Sequence, residues 1–151
     1  MKKYEVKQID NLLNLDLNII IKQSKEEGFL IGERLVFDYK NGTNTFNNLG
    51  EALYGVFNIN GEIVAIGGLN KDPFSTKPYI GRVRRFYVIN EYRRNGIGSL
   101  LLKNIINEAK KYYKILVLRT NTSEGDNFYT SNGFLKVNIY PSSTHYMDLG
   151  N

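Results

Sequence analysis

A strand, a glycine loop and a helix in immediate succession constrain this chain most. Residues 79–89 are a long run of β-forming residues. They lead directly into Asn90-Glu91-Tyr92-Arg93-Arg94-Asn95-Gly96-Ile97-Gly98-Ser99. Residues 98–113 then carry Leu101, Leu102, Ile105, Ile106, Ala109 and Tyr113 as an apolar face at helical spacing, with Lys103, Asn107, Lys110 and Lys111 on the wet side. The continuous apolar run at 115–119 suits a buried strand with a parallel neighbour. Along 79–89 the alternation slips at Arg84-Arg85, because Val83, Phe86 and Val88 do not share one parity, and a bulge is the expected cause.

The loop has the physics of an anion cradle. N–H groups at a helix N-terminus lack intrahelical partners, and the helix dipole favours negative charge there. Glycines let a phosphate come close, and Arg93 and Arg94 add charge-assisted bonds. A Rossmann fingerprint would need Gly-x-Gly-x-x-Gly directly after a first strand, and a P-loop would need Gly-Lys-Ser/Thr; neither stands here. Charge agrees. The net charge is +5, from 20 Lys and Arg against 15 Asp and Glu. Residues 1–75 carry eight basic and ten acidic groups, and residues 76–151 carry twelve and five. Arg82, Arg84, Arg85, Arg93 and Arg94 lie within thirteen residues, with Glu91 as the one acid among them. A solvated basic face is the plain alternative. Nucleic acid would call for basic residues interleaved with exposed aromatics over a broad surface. A glycine loop opening a helix points instead to a small phosphorylated ligand.

The remaining chain fills in a single domain over 1–151, without repeats or linkers. Residues 9–24 read as a broken helix and 26–39 as a clearer one that Asn41-Gly42 ends. Residues 41–50 are a loop. Residues 51–58 and 62–69 are strands joined by a tight hairpin at Asn60-Gly61, and 70–78 is a loop. Residues 123–131 form a short helix with Ser123 as N-cap and Gly133 at its end. Residues 134–139 and 144–149 close the chain as strands. The order α-α-β-β-β-α-β-α-β-β describes an α/β sandwich on a mixed sheet, not an alternating doubly wound fold. The absence of Cys excludes disulfides, thiolate metal sites and Cys nucleophiles, and the single His145 excludes a multi-His metal site. No apolar run nears the roughly 18 residues of a membrane span. Met1-Lys2-Lys3-Tyr4-Glu5 lacks the apolar stretch of a signal peptide, so a cytoplasmic protein with no membrane partner is expected.

Two motifs together resemble the GNAT superfamily of acyl-CoA-dependent N-acetyltransferases. Arg93-x-x-Gly96-x-Gly98 matches its Arg/Gln-x-x-Gly-x-Gly/Ala motif, within a stretch from Phe86 to Gly98 that looks like its fourth strand, loop and helix start. Leu116-Val117-Leu118 resembles its fifth strand. Phe128-Tyr129-Thr130-Ser131-Asn132-Gly133-Phe134 resembles its Phe/Leu-Tyr-x-x-x-Gly-Phe signature. The resemblance covers residues 51–149. It implies a mixed, mostly antiparallel sheet with helices on both faces and a splay between strands four and five.

It also implies acetyl-CoA as cosubstrate, with no metal. Arg93 and Arg94, Asn95, Gly96, Ile97, Gly98 and Ser99 would bind the pyrophosphate, chiefly through backbone N–H groups. Tyr87, Val88 and Ile89 would offer main-chain groups to the pantetheine arm. Tyr129 would be the general acid for the departing thiolate, a role worth about 10²–10⁴-fold in rate; its alternative is core packing. Asn121 and Asn127 are further cofactor contacts by this likeness, although Thr122 and Gly125 stand where relatives commonly carry Asn and Ala. No acid lies near Arg84 and Arg85 on the fourth strand, so the general base is left among Glu51, Glu62 and His145; an imidazole titrates in the useful range. The implied acceptor is a primary amine. A small molecule is favoured, and a protein amine and a homodimer stay open. A CoA-binding sensor without transfer activity and a basic nucleic-acid-binding domain are the rival readings.

Overall fold

The computed structural model describes residues 3–150; Met1 and Lys2, which head the N-terminal stretch read above, and Asn151 lie outside the described residues. Six strands form one sheet in chain order: β1 (Tyr4–Gln8), β2 (Ala52–Asn58), β3 (Ile63–Lys71), β4 (Ile80–Val88), β5 (Ile115–Leu118) and β6 (His145–Asp148). Every neighbouring pair is antiparallel except β4 and β5. The helices are α1 (Asn18–Glu26), α2 (Ile31–Asn41), α3 (Ile97–Ala109) and α4 (Ser123–Ser131). This is the mixed, mostly antiparallel architecture expected, with helices on both faces.

Two cores sandwich the sheet. Leu101, Leu102, Ile105 and Ala109 of α3 pack with Val56, Val64, Leu69, Val83 and Leu116, joined by Tyr129 and Phe134. On the other side Leu17, the N-cap of α1, Ile20 of α1 and Leu35 of α2 pack with Leu53, Ile66, Tyr87 and Ile89. Each fully buried Leu or Ile contributes about 1.5–3 kcal/mol by leaving water. Adjacent glycines in β3 let both layers come close. A Cβ on Gly67 would stand 2.8 Å from Phe86, and one on Gly68 would stand 2.4 Å from Phe46.

Two features of β4 shape the site. Tyr87 pairs with Ile66, and Arg84 with Gly68, so Arg85 and Phe86 together oppose Gly67. This is the bulge that the broken alternation foretold, and Arg85 takes a φ of 56° to make it. Second, β4 pairs with β5 only from Ile80 to Arg82. Beyond Arg82 the two strands part, which is the expected splay.

Four expectations need correction. Residues 4–8 are a strand that the sequence reading missed: Tyr4 and Val6 alternate with exposed Glu5, Lys7 and Gln8, too short a pattern to stand out. The helix expected over 26–39 is two pieces, because α1 ends at Glu26 and Gly28, at a φ of 86°, turns the chain before α2 begins. The cap of α4 is Thr122, whose hydroxyl accepts from the Gly125 N–H at 3.0 Å, not Ser123. Residues 134–139 are not a strand: Leu135 makes one bridge to Tyr146, while Leu135, Val137 and Ile139 are exposed.

Candidate active site

The glycine loop folds as an open cradle. Arg94 has a φ of 66° and Gly96 a φ of 78°, and such left-handed turns alternating with ordinary backbone gather N–H groups into a concavity. Gly96 is the N-cap of α3 and no side chain caps the helix, so the first-turn N–H groups face outward unpaired by side chains. Arg94, Asn95, Gly96 and Ser99 are exposed, and Ile97 is buried beneath them. Gly98 is required for a different reason. A Cβ there would press on Phe128 at 3.1 Å, so this glycine lets α4 lie against the start of α3.

Arg93 is spent on holding the loop. Its guanidinium binds Glu27, the C-cap of α1, at 2.7 and 2.9 Å, donates to the Val88 carbonyl at 2.9 Å, and lies over the Tyr87 ring at 5.2 Å. Tyr87 in turn donates to Glu27, and its hydroxyl lies 3.1 Å from Gln23 Oε1. Gln23 accepts from the Asn90 N–H at 2.6 Å and donates to Glu91. Arg93 holds the Glu27 carboxyl below its ordinary value, and burial pushes the Tyr87 phenol up. Neither Glu27 nor Gln23 was found from sequence. Their partners lie sixty or more residues away, and nothing local marks them.

The gap between β4 and β5 receives main-chain groups. The Ile89 N–H donates to the Val64 carbonyl of β3 at 2.9 Å, so strand alternation turns Val88 to the opposite edge, towards the splay. The carbonyl of Val88 is taken by Arg93, which leaves its N–H facing the gap.

Tyr129 stands in a box of rings. Phe86, Phe128, Phe134 and His145 surround it, with ring centroids 5.0–6.3 Å away. The Phe86 contact brings it beside the stretch of β4 that has lost its β5 partner. Burial raises its phenol well above the ordinary value, so it stays protonated and keeps an O–H to donate.

Two of the base candidates lie apart from this box. Glu51 accepts from the Asn70 amide at 2.8 Å, where β2 begins and β3 ends. Glu62 is exposed in the β2–β3 hairpin and accepts from Asn58 at 3.0 Å. His145 is 1% exposed, with Nε2 2.8 Å from Asp126 and Nδ1 2.7 Å from the Thr144 hydroxyl. The Asp126 carboxylate can only accept, so Nε2 carries a proton, and in the neutral ring the lone pair is on Nδ1. His145 lowers the Asp126 carboxyl, with Lys136 adding to the effect. Asn121 and His145 share a surface cavity of about 280 Å³ with residues 120–123, Asp126, Lys136 and Thr144. Asn127 is exposed on α4. Among the described residues no group of three His, Asp or Glu could hold a metal ion, and no helix is long and apolar enough to cross a membrane.

Residues 50–136, more than half of the chain, match the family model of the acetyltransferase (GNAT) domain. The chain belongs to the GNAT acetyltransferase family. Solved structures agree on the fold. A proposed acetyltransferase from Exiguobacterium sp. 255-15 is 29% identical, with 97% of this chain and 94% of that one covered and a TM-score of 0.87. A GNAT-family acetyltransferase from Staphylococcus aureus Mu50 is 22% identical over 97% and 99% of the two chains, with a TM-score of 0.77. The GNAT-family N-acetyltransferase YhbS from Escherichia coli, solved in complex with CoA, is 12% identical over 98% and 82%, with a TM-score of 0.72.

Proposed function

We propose that this GNAT chain, as a single domain, transfers an acetyl group from acetyl-CoA to a primary amine by direct attack, with a small molecule as acceptor. One observation carries the reading: an uncapped helix N-terminus behind two left-handed residues, opening beside a strand that has parted from its neighbour. The fit to CoA is chemical. Unpaired N–H groups and exposed Arg94 suit a pyrophosphate, and the narrow gap along Val88 suits an extended amide-bearing arm. When bound, acetyl-CoA supplies the activated acyl group. Arg94, Asn95, Gly96, Ile97, Gly98 and Ser99 hold its phosphates, and Arg93 keeps the loop in place through Glu27. The Val88 N–H orients the arm, with Tyr87 and Ile89 fixing the strand edge and Asn121 and Asn127 flanking from the α4 side.

Tyr129 holds a proton at its hydroxyl and gives it, or a hydrogen bond, to the leaving thiolate. A free thiol titrates near 8.5, below a buried phenol, so full transfer is uphill and the contribution of Tyr129 is a hydrogen bond to the developing thiolate charge. For the base we retain His145 over Glu51 and Glu62. It is the one that touches the Tyr129 ring, and its Nδ1 lone pair meets only a hydroxyl that can rotate away. We place the enzyme in the cytoplasm.

The burial of Tyr129 among rings favours one rival, a CoA-binding sensor in which this residue only packs. Thiol release from acetyl-CoA with an amine panel decides between them. Transfer predicts turnover in the wild type and a kcat about 10²–10⁴-fold lower in Tyr129→Phe, with the acetyl-CoA affinity kept. A sensor would bind acetyl-CoA and release no thiol in either form.

A further inference from the structure

We propose that the acceptor amine also carries an anionic group, a carboxylate or a phosphate, and that Arg84 receives it. This deepens the transfer reading and rests on it for the word acceptor. Three arginines of β4 address the side of the sheet covered by α1 and α2. Val83 packs in the α3 core, so its neighbours Arg82 and Arg84 point the other way. The bulge turns Arg85 to that side as well, where it meets Asp38 of α2 at 3.3 Å.

Two of the three charges are already answered. Arg82 is 3% exposed; it binds Asp72 at 2.7 Å and donates to the carbonyls of Pro141 and Ser142. Arg85 has Asp38. Asp38 and Asp72 are also the acids whose fields reach Arg84, and both are committed to its neighbours. Among the described residues the Arg84 guanidinium makes no hydrogen bond or ion pair, although it is half-buried. Burial and the repulsion of Arg85 and Arg82 press on its charge.

A partly desolvated guanidinium without an acceptor is costly, and its planar fork matches a carboxylate or phosphate. The phosphates of CoA do not supply that acceptor. Arg84 and Val88 oppose Gly68 and Ala65, three strand steps or about 10 Å apart, and Arg84 is on the opposite face from α3, whose N-terminus forms the cradle. What reaches Arg84 must enter from the α1–α2 side, at the bulge where the splay begins. That is the approach left to the second substrate. An uncompensated cation there also turns away polycationic amines.

The test uses paired acceptors with wild type, Arg84→Gln and Arg84→Lys. The pairs are α-amino acids against their amides, and O-phosphoethanolamine against ethanolamine, with thiol release as readout. The expected result is a kcat/KM about 10- to 100-fold higher for the anionic member of a pair. Arg84→Gln should lose that preference mainly through KM, and Arg84→Lys should restore part of it. The melting shift with CoA should be the same in all three proteins, because Arg84 holds no part of the fold. Equal or better use of neutral partners by the wild type, a preference that survives Arg84→Gln, or a CoA shift lost in that variant would overturn the proposal and leave acetyl transfer standing. Should no amine release thiol, the transfer reading falls. The proposal is then decided by melting of the CoA-loaded protein: a shift with anionic amines in wild type but not in Arg84→Gln upholds it, and no shift overturns it.

Discussion

On the reading proposed above, the two ends of β4 would recognise anions by different means. At the glycine-loop end the main chain would do it. Arg93, the residue that opens the motif, gives its charge to Glu27, and the ligand meets N–H groups shaped by Arg94 and Gly96. At the bulge end side chains would do it. Arg82 and Arg85 are paired and Arg84 is left over. On that reading, five arginines close in sequence make two sites of opposite construction. Counting charges along a sequence locates such a region, but only the pairing of each charge tells which of them a ligand meets.

The largest effect that can break this comparison is loss of the buried pair. Arg82→Met strands a buried Asp72 carboxylate and is expected to cost about 3–5 kcal/mol in urea unfolding. Arg82→Met combined with Asp72→Leu should recover most of it. A loss below about 1 kcal/mol for the single variant would mean that Arg82 is not committed to Asp72, and the contrast with Arg84 would go with it.

The next effect sharpens the main-chain end. Gly96→Ala puts a Cβ on a residue with a φ of 78° and is expected to cost about 1–2 kcal/mol of stability. Space is not the issue, since a Cβ there meets nothing within 4 Å. Acetyl-CoA affinity should fall in calorimetric titration, because the helix N-terminus must shift to relieve the strain. Unchanged stability and affinity would argue that the cradle does not depend on this turn.

The smallest effect concerns the tether. Arg93 depresses the Glu27 carboxyl, so their bond contributes its full stability above the ordinary value of 4.5 and loses it as pH falls through the lowered value. The pair is about 30% exposed, so its worth is roughly 1 kcal/mol or less. Between pH 7 and pH 3, wild type should lose more melting temperature than Glu27→Gln, which has no charge there to lose. Equal slopes would remove Glu27 as the anchor of the loop.

The same contrast explains what could be read from the sequence. The loop end was legible because its determinants are local: Gly96, Gly98 and the helical stripe from Leu101 to Ala109 lie side by side, although the helix stops short of the expected Tyr113, and the parity slip at Arg84-Arg85 marked the bulge. The partners were not legible. Glu27 with Arg93, Asp38 with Arg85 and Asp126 with His145 are joined by the fold, and no spacing rule reaches that far. Residues 134–139 misled for a related reason. Their alternation is real, but Leu135, Val137 and Ile139 are exposed along with Lys136 and Asn138, so the pattern reported a surface and not a strand. At α4 the error was one residue: Thr122 and Ser123 can both cap, and the Gly125 N–H chose Thr122.

Thermal melting with acetyl-CoA tests the central claim most directly, with free CoA and a DNA duplex as controls. A ligand at 100 times its Kd adds about 2.7 kcal/mol, or roughly 5–11 °C for a chain of this length. The account predicts that shift with acetyl-CoA, a similar one with free CoA, and none with DNA. No shift at millimolar acetyl-CoA would contradict it.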